Sequence, residues 1–127
     1  MIIRSLDEVV GSERETSAET WRSRRLLLAS DGMGFSLHDT VLGAGTVTEM
    51  QYLNHLEAVY CIEGVAELED HATGDVHRIT PGVVYALDRH DRHTIRVIED
   101  FRCVCVFNPA CVGTETHDEN GSFPLPT

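Results

Sequence analysis

The sequence predicts an all-β fold, a sandwich or barrel of short strands preceded by one short helix. From Trp21 onward the chain breaks into short runs rich in Val, Ile, Leu, Thr, Tyr and Phe, a rhythm that is typical of sandwiches and barrels. Turn signals separate these runs. They lie at Asp31-Gly32, Gly43-Ala44-Gly45, Glu63-Gly64, Thr73-Gly74, Pro81-Gly82 and Asn108-Pro109.

The helix is predicted from a capping signal near the start of the chain. Ser5 is followed three residues later by Glu8, which is the spacing of a capping box, and the apolar pair Val9-Val10 precedes Gly11. A serine oxygen can accept a hydrogen bond from the third helical N–H, and a glycine readily ends a helix. We therefore expect a helix that begins at Ser5 and stops at Gly11.

The chain is expected to form one domain over residues 1–127. Its 127 residues are 42% hydrophobic and 24% charged, which is ordinary for a domain with a folded core. Neither an internal repeat nor a Ser/Pro-rich linker divides it. A polar tail begins at about Gly113, and the sequence leaves open whether it is a mobile lid or a frayed terminus.

The charge balance excludes two classes of partner. Ten Lys+Arg against 21 Asp+Glu give a formal net charge of -11, so the surface repels nucleic acid and anionic membranes. The densest basic cluster is Arg22, Arg24 and Arg25, in a predicted strand, and Arg22 and Arg24 are expected on its solvated face.

The sequence predicts a cytoplasmic protein. No apolar run approaches the roughly 18 residues of a membrane span, and the first residues lack the pattern of a secretory signal. In a reducing compartment the four cysteines are expected to stay thiols. Their spacing matches no zinc ribbon, and Cys103 and Cys105 should point the same way from one strand.

Two damaged motifs indicate a jelly-roll barrel of the cupin type. Cupins bind metal through motifs of the form G-x5-H-x-H-x3,4-E-x6-G and G-x5-P-x-G-x2-H-x3-N. Here Glu57 and Gly64 match the end of the first motif, while Gln51, Tyr52 and Leu53 occupy the region of the His pair. Gly74 opens the second motif, one residue off the usual spacing, and Tyr85 replaces its histidine.

These motifs predict a metal site with three protein ligands. If Glu57 and Tyr85 point into the barrel from adjacent strands, His93 can return beside them on the paired strand after the turn over residues 89–91. A carboxylate, a phenol oxygen and an imidazole suit iron(II), and zinc is a possible substitute.

Five longer segments closely resemble the ectoine synthase family, in the family's order and over nearly the whole length. They are residues 21–28, 31–36, 54–64, 85–93 and 103–109. Three departures from the family stand at Gln51, at His38, where some members have Asn, and at Ala110-Cys111, which replaces a more usual Pro-Leu. Of the three, only His38 is expected close enough to the inferred pocket to change a contact with the substrate.

The resemblance implies a small homodimeric cupin and a lyase. Members of the family close the ring of N-γ-acetyl-L-2,4-diaminobutyrate, with loss of water, to give the compatible solute ectoine. The resemblance also implies Glu57, Tyr85 and His93 as the iron ligands. The substrate-binding residues that it implies, with supporting neighbours, are Trp21, Ser23, Arg25, His38, Thr40, Tyr52, Leu87, Cys105 and Phe107.

The cyclisation requires the α-amine to lose a proton and the departing oxygen to gain one. We expect Glu115 to act as the base and His55 or His117 as the proton donor. Arg25 would hold the substrate carboxylate in a bidentate contact, because its guanidinium is planar and forked.

The remaining expected contacts shape the substrate. Trp21 and Phe107 would form apolar walls that hold the substrate close to its cyclic shape. Cys105 would pack against the substrate or donate a weak hydrogen bond to it. It is not expected to act as a nucleophile, because no base that could activate its thiol is evident beside it.

Two other functions stay open at this point. A non-catalytic cupin could sense a small zwitterionic solute, although the chain has no room for an attached DNA-binding domain. A metal-dependent dioxygenase or isomerase is also compatible with open metal positions, and the missing His pair argues against it.

Overall fold

Eight strands and one short α-helix make up the regular structure in the computed structural model, which describes residues 1–125. A 3-10 turn over Ala29–Asp31 joins the second and third strands. The elements are α1 (Leu6–Val9), β1 (Glu15–Ser17), β2 (Trp21–Leu27), β3 (Ser36–Leu42), β4 (Val47–Met50), β5 (Leu56–Asp70), β6 (Val76–Ile79), β7 (Val84–Leu87) and β8 (His93–Asn108).

The strands form two layers that share the long strands β5 and β8. In one layer the order is β1-β2-β3-β8-β5-β7, with Glu57 opposite Phe107. In the other the order is β4-β8-β5-β6, with Leu68 opposite Ile95. The buried apolar side chains form a core between the layers. This arrangement confirms the predicted all-β jelly roll, although the strand pairing does not close into a complete barrel within residues 1–125.

The predictions that all strands are short and that Glu63-Gly64 makes a turn between two of them were wrong. The strands β5 and β8 are single long strands, and Glu63-Gly64 is a bend within β5 instead of a turn between strands. The register shifts around Gly64, whose φ is +89°. A Cβ at that position would lie 2.1 Å from the carbonyl oxygen of Asp100 on β8. Glycine is therefore required by the close approach of two backbones where the strands pass from one layer to the other.

The other local predictions agree with the observed elements, except that α1 ends at Val9, two residues before the expected stop at Gly11. The Ser5 side chain accepts a hydrogen bond from the Glu8 backbone N–H at 3.3 Å, and α1 starts at the next residue. Thr73-Gly74 and Pro81-Gly82 lie between strands, and Asn108-Pro109 ends β8. All four cysteines are free thiols.

The β2 strand shows how one segment serves both faces of a layer. Trp21, Ser23 and Arg25 are buried on the inner side, while Arg22 is exposed as expected. The prediction of a solvated face was wrong for Arg24, which is 8% exposed. Its guanidinium donates to a carboxylate oxygen of Asp39, so an ion pair replaces the lost hydration.

The C-terminal segment packs across one end of the two layers. The carbonyl oxygen of Gly113 accepts from the Thr16 hydroxyl at 2.9 Å, and that of Phe123 accepts from the Asn54 amide at 2.9 Å. The Phe123 side chain is 3% exposed. No helix among residues 1–125 has the length and apolar character needed to cross a membrane.

Candidate active site

A cavity lies between the two layers, beneath the C-terminal segment. Its volume is about 50 Å³, so it is a small space. Its wall is mostly apolar and aromatic, with a few polar groups. The lining residues are Trp21, Ser23, His38, Thr40, Leu42, Met50, Tyr52, Glu57, Val59, Tyr85, Ile95, Cys103, Cys105, Phe107, His117 and Phe123.

Most of the residues predicted for the site line this cavity. They are the candidate ligands Glu57 and Tyr85, the candidate proton donor His117, and the candidate substrate contacts Trp21, Ser23, His38, Thr40, Tyr52, Cys105 and Phe107. The structure therefore brings together residues that are as much as 96 positions apart, from Trp21 to His117.

The register of β5 and β7 places two candidate ligands beside each other. Glu57 pairs with Leu87, and Val59 pairs with Tyr85. Since alternate residues of a strand share a face, Glu57 and Tyr85 are diagonal neighbours on the inner face. Leu87 is buried next to them, outside the cavity lining.

His93 reaches the same region by a different route from the one expected. His93 is the first residue of β8. Within residues 1–125, β8 pairs with β3, β4 and β5 and not with β7. The curvature of the layers brings the His93 ring within 6.5 Å of the Tyr85 ring, measured between centroids. The expectation that His93 returns on a strand paired with Tyr85 was therefore wrong.

The donor types of these three residues, a carboxylate, a phenol and an imidazole, are ones that divalent cations bind. His93 is 1% exposed, and its Nδ1 lies 2.9 Å from the carbonyl oxygen of Asp91. Its Nε2 is buried and has no hydrogen-bond partner in the part of the chain that the structure describes. An Nδ1–H donated to that carbonyl leaves the Nε2 lone pair free for a metal. Burial raises the pKa of Glu57 and of Tyr85, and a cation would stabilise their anionic forms.

Arg25 and Glu115 form a buried ion pair behind the cavity wall. Arg25 Nη1 lies 3.5 Å from Glu115 Oε1, and Arg25 Nη2 donates to the Glu115 carbonyl oxygen at 2.8 Å. The Glu115 carboxylate also accepts from the backbone N–H groups of Val112 at 2.6 Å and Gly113 at 2.8 Å. Burial lowers the pKa of Arg25, an effect that Cys111 and Glu115 oppose. Neither member of the pair is among the lining residues.

His55 also lies behind the cavity wall. Its ring centroid is 5.7 Å from that of Phe107 and 6.1 Å from that of Phe123, and its side chain is outside the cavity lining. Both ring nitrogens are buried without partners among the described residues. Burial lowers the pKa of His55, which keeps the ring neutral.

A hydrogen-bonded chain connects the cavity wall to Arg25. The Ser23 hydroxyl accepts from Arg25 Nε at 3.1 Å and lies 3.2 Å from His38 Nδ1. The other ring nitrogen of His38 lies 3.1 Å from the Ser36 hydroxyl. Burial, reinforced by Arg25, lowers the pKa of His38 well below its usual value, so this ring is neutral.

His117 stands at the cavity among the aromatic side chains of Trp21, Tyr52 and Phe123. Its Nε2 lies 2.8 Å from the Tyr52 hydroxyl oxygen, and its ring centroid is 5.3 Å from that of Trp21. Burial lowers the pKa of His117 to about 4. The ring is therefore neutral at pH 7 and can both accept and donate a proton.

Sequence reasoning missed several lining residues. The core residues among them are Leu42, Met50, Val59, Ile95 and Cys103. Phe123 was missed because the tail was judged by its polar composition, which gave no reason to expect a buried aromatic side chain in it. An aromatic residue directly before Pro124 was the available signal that this tail docks.

Comparison with known sequences identifies one family. A sequence model described as "Ectoine synthase" matches residues 1–127. An L-ectoine synthase of Thermobifida fusca is 56% identical over 127 residues, which span 100% of this chain and 95% of that protein. An L-ectoine synthase of Streptomyces anulatus is 56% identical over 129 residues, covering 100% of this chain and 98% of that protein.

Solved structures agree with this similarity. A crystal structure of ectoine synthase from P. lautus matches with a TM-score of 0.89 and 53% identity, over 95% of this chain and 87% of that one. KdgF from Halomonas sp. matches with a TM-score of 0.64 and 20% identity, over 75% of this chain and 86% of that one. The second likeness concerns the fold alone.

Proposed function

The chain belongs to the ectoine synthase family, and from that premise we propose that it is a lyase that cyclises N-γ-acetyl-L-2,4-diaminobutyrate, with loss of water, to ectoine. The observation that carries the proposal is the match of the family to the full length of the chain, 1–127. The cavity supports it with a small, mostly apolar space that has polar groups on its wall. The match favours neither a solute sensor nor a dioxygenase.

Three residues would hold the metal of this reaction. Glu57, Tyr85 and His93 offer two oxygen donors and the unpartnered Nε2 of His93, a set that suits iron(II) and accepts zinc as a substitute. When bound, the metal supplies a Lewis acid for the oxygen of the substrate's acetamide group.

The cavity wall would hold the substrate in a folded shape. Trp21 and Phe107 line the cavity, and their buried rings exclude water and favour the conformation in which the amine approaches the amide carbon. Arg25 lies outside the cavity lining and next to Phe123, a lining residue whose ring centroid lies 5.4 Å from the guanidinium carbon. Within residues 1–125, Arg25 Nη1 is buried without a hydrogen-bond partner, although it lies 3.5 Å from Glu115 Oε1. It would hold the substrate carboxylate if Phe123 moves aside.

His117 is the proton carrier that this geometry favours. Substrate and product are both zwitterions, so the two protons that leave the ammonium group end on the departing water. One neutral group can carry both protons in turn, if it accepts each proton from the ammonium group and donates it to the departing oxygen. His117 is neutral, lines the cavity and is hydrogen-bonded to Tyr52, whereas Glu115 and His55 lie behind the wall.

The decisive experiment combines turnover with metal content. Protein loaded with iron(II) is incubated with the acetylated diamino acid, and the cyclic product is measured by NMR. We expect ectoine to form, and we expect Glu57→Gln to lose both bound iron and turnover. Glu63→Gln, an outward-facing change on the same strand, serves as the control. Absence of product from the iron-loaded protein, or full iron content in Glu57→Gln, would contradict the proposal.

A homodimer in the cytoplasm is part of the same proposal. An exposed apolar patch on the outer face of β5 and β7, formed by Leu56, Tyr60 and Val84, offers a surface for a second copy. The four thiols suit a reducing compartment. Sedimentation of the protein and of Val84→Asp tests the dimer, because a charge in that patch should dissociate it.

A further inference from the structure

A second group of candidate metal ligands lies behind the cavity, and we propose that it forms a separate binding site for a thiophilic divalent ion such as Zn²⁺. The group consists of His55, Cys111 and Glu115. Each residue offers one donor atom, and the three donor atoms all lie within 4.8 Å of one another. None of the three lines the cavity or belongs to the Glu57, Tyr85 and His93 set.

His55 supplies the independent sign of a missing ligand. It is 1% exposed, and neither ring nitrogen has a hydrogen-bond partner among the described residues. Buried polar side chains in folded proteins nearly always have a partner. Burial lowers the pKa of His55, and the neutral ring that results is the form that binds metals.

Cys111 gives the group its preference for a soft ion. Its side chain is fully buried as a free thiol, and its backbone N–H donates to Ser36 Oγ at 3.0 Å. Thiolate and imidazole together favour zinc over magnesium or calcium. Burial raises the pKa of Cys111 to about 12, so an ion that binds must displace the thiol proton.

Glu115 contributes an anion that is already held in place. Its carboxylate oxygens accept from two backbone N–H groups, and each oxygen has a second lone pair that remains for a metal. Arg25 opposes the incoming ion, since its Nη1 lies 3.5 Å from Glu115 Oε1. With Arg25, Glu115, a thiolate and Zn²⁺, the cluster carries one net positive charge, which weakens the site relative to zinc sites without a neighbouring cation.

Small movements would complete the geometry. Four-coordinate zinc places its donor atoms about 3.5 Å apart. The three donor atoms here lie within 4.8 Å of one another, so no separation exceeds that spacing by more than about 1.3 Å. Cys111 and Glu115 lie in residues 109–125, the described segment after β8, where there is neither helix nor strand. Side-chain rotation and a small backbone shift can therefore close the distance.

Binding of cobalt to metal-free protein tests the site by a spectroscopic signal. A thiolate bound to Co²⁺ gives a charge-transfer band that oxygen and imidazole donors do not give. We expect the band in the wild-type protein, its loss in Cys111→Ala, and its retention in Cys61→Ala, which removes a buried thiol elsewhere. Cys105→Ala should also retain the band, because Cys105 lies on the cavity wall. A band that persists in Cys111→Ala overturns the proposal.

Metal content provides a second measurement. After equilibration with Zn²⁺ and gel filtration, we expect two zinc ions per chain in the wild type and one in Cys111→Ala. If Cys111→Ala fails to fold, Cys111→Ser keeps the side-chain size and replaces the soft donor. Glu57→Gln should lose one zinc ion and keep the cobalt band, which separates this site from the catalytic metal of the proposed function. Loss of the band in Glu57→Gln contradicts the existence of a separate site.

Discussion

His38 Nδ1 lies 3.2 Å from the hydroxyl oxygen of Ser23. The same oxygen accepts from Arg25 Nε at 3.1 Å, so the Ser23 hydrogen is donated to His38 Nδ1. The proton of the neutral ring is then on Nε2, which donates to Ser36 Oγ at 3.1 Å. This assignment gives a partner to Arg25 Nε, to the Ser23 hydroxyl and to both ring nitrogens of His38, and it makes His38 a positioning residue for Arg25.

Replacing His38 by Leu should raise the Michaelis constant about tenfold, equivalent to about 1.4 kcal/mol of binding free energy. The physical reason is that Ser23 loses the acceptor that orients it toward Arg25. Steady-state kinetics with the acetylated diamino acid measure the change. His38→Gln is the matched control, since its amide can both accept from Ser23 and donate to Ser36, and it should keep most of the affinity. An unchanged Michaelis constant in His38→Leu would remove His38 from this role.

Replacing Phe123 by Ala should cost about 3–4 kcal/mol of unfolding free energy. The ring of Phe123 packs 5.0 Å from Tyr52, 5.2 Å from Phe107 and 5.1 Å from His117, measured between centroids, so its loss opens the cavity to water. Urea denaturation measures the cost. Leu125→Ala, two residues further along the tail and 67% exposed, should change stability by less than about 0.5 kcal/mol. Similar effects of both substitutions would mean that the tail does not depend on Phe123.

Gly64→Ala should destabilise the fold by about 3 kcal/mol or more, because it combines a positive φ with a direct clash. The added Cβ would lie 2.1 Å from the carbonyl oxygen of Asp100. The control is Gly45→Ala, where φ is +84° and nothing lies within 4 Å of the added Cβ. Gly45→Ala should cost only about 1 kcal/mol in the same denaturation experiment. Equal costs at the two positions would show that φ alone, and not the approach of β5 and β8, determines the effect.

Asp31→Asn should lower stability by about 1–2 kcal/mol at pH 7. Hydrogen bonds from Arg4 and from the Leu28 backbone N–H lower the pKa of Asp31 from 3.8 to about 2, and its side chain is 9% exposed. Since the folded pKa lies below the unfolded one, this stabilisation is present above about pH 4 and is lost as the pH falls toward 2.

The difference between wild type and Asp31→Asn should therefore shrink as urea denaturation is repeated at decreasing pH. Asp88→Asn, a change at an exposed position, is measured in parallel as the comparison for removal of a surface charge. If the stability difference between wild type and Asp31→Asn stays constant down to about pH 3, the effect of the substitution does not come from the charge of Asp31.

Local rules were sufficient for the helix start and for two candidate ligands. Ser5 could be identified because a cap acts over three residues. Glu57 and Tyr85 could be placed on an inner face because strand side chains alternate, and the motif spacing put them on adjacent strands. The resemblance to a family added most of the residues that line the cavity.

Non-local packing decided what these rules could not. Whether a glycine makes a turn or a bend depends on the partner strand, and at Gly64 that partner is a residue of β8.

The sequence by itself determined the strand-rich jelly roll, the inward carboxylate and phenol and the family, because these follow from alternation, turn residues and motif spacing along the chain. Only the tertiary structure decided that His93 reaches Tyr85 without a shared strand pair, that Phe123 covers the cavity, and that His55 and Glu115 stand behind its wall with Cys111. The reason is physical. Residues far apart in the chain meet through the curvature of two layers and the path of the tail, and both arise from the packing of the whole core.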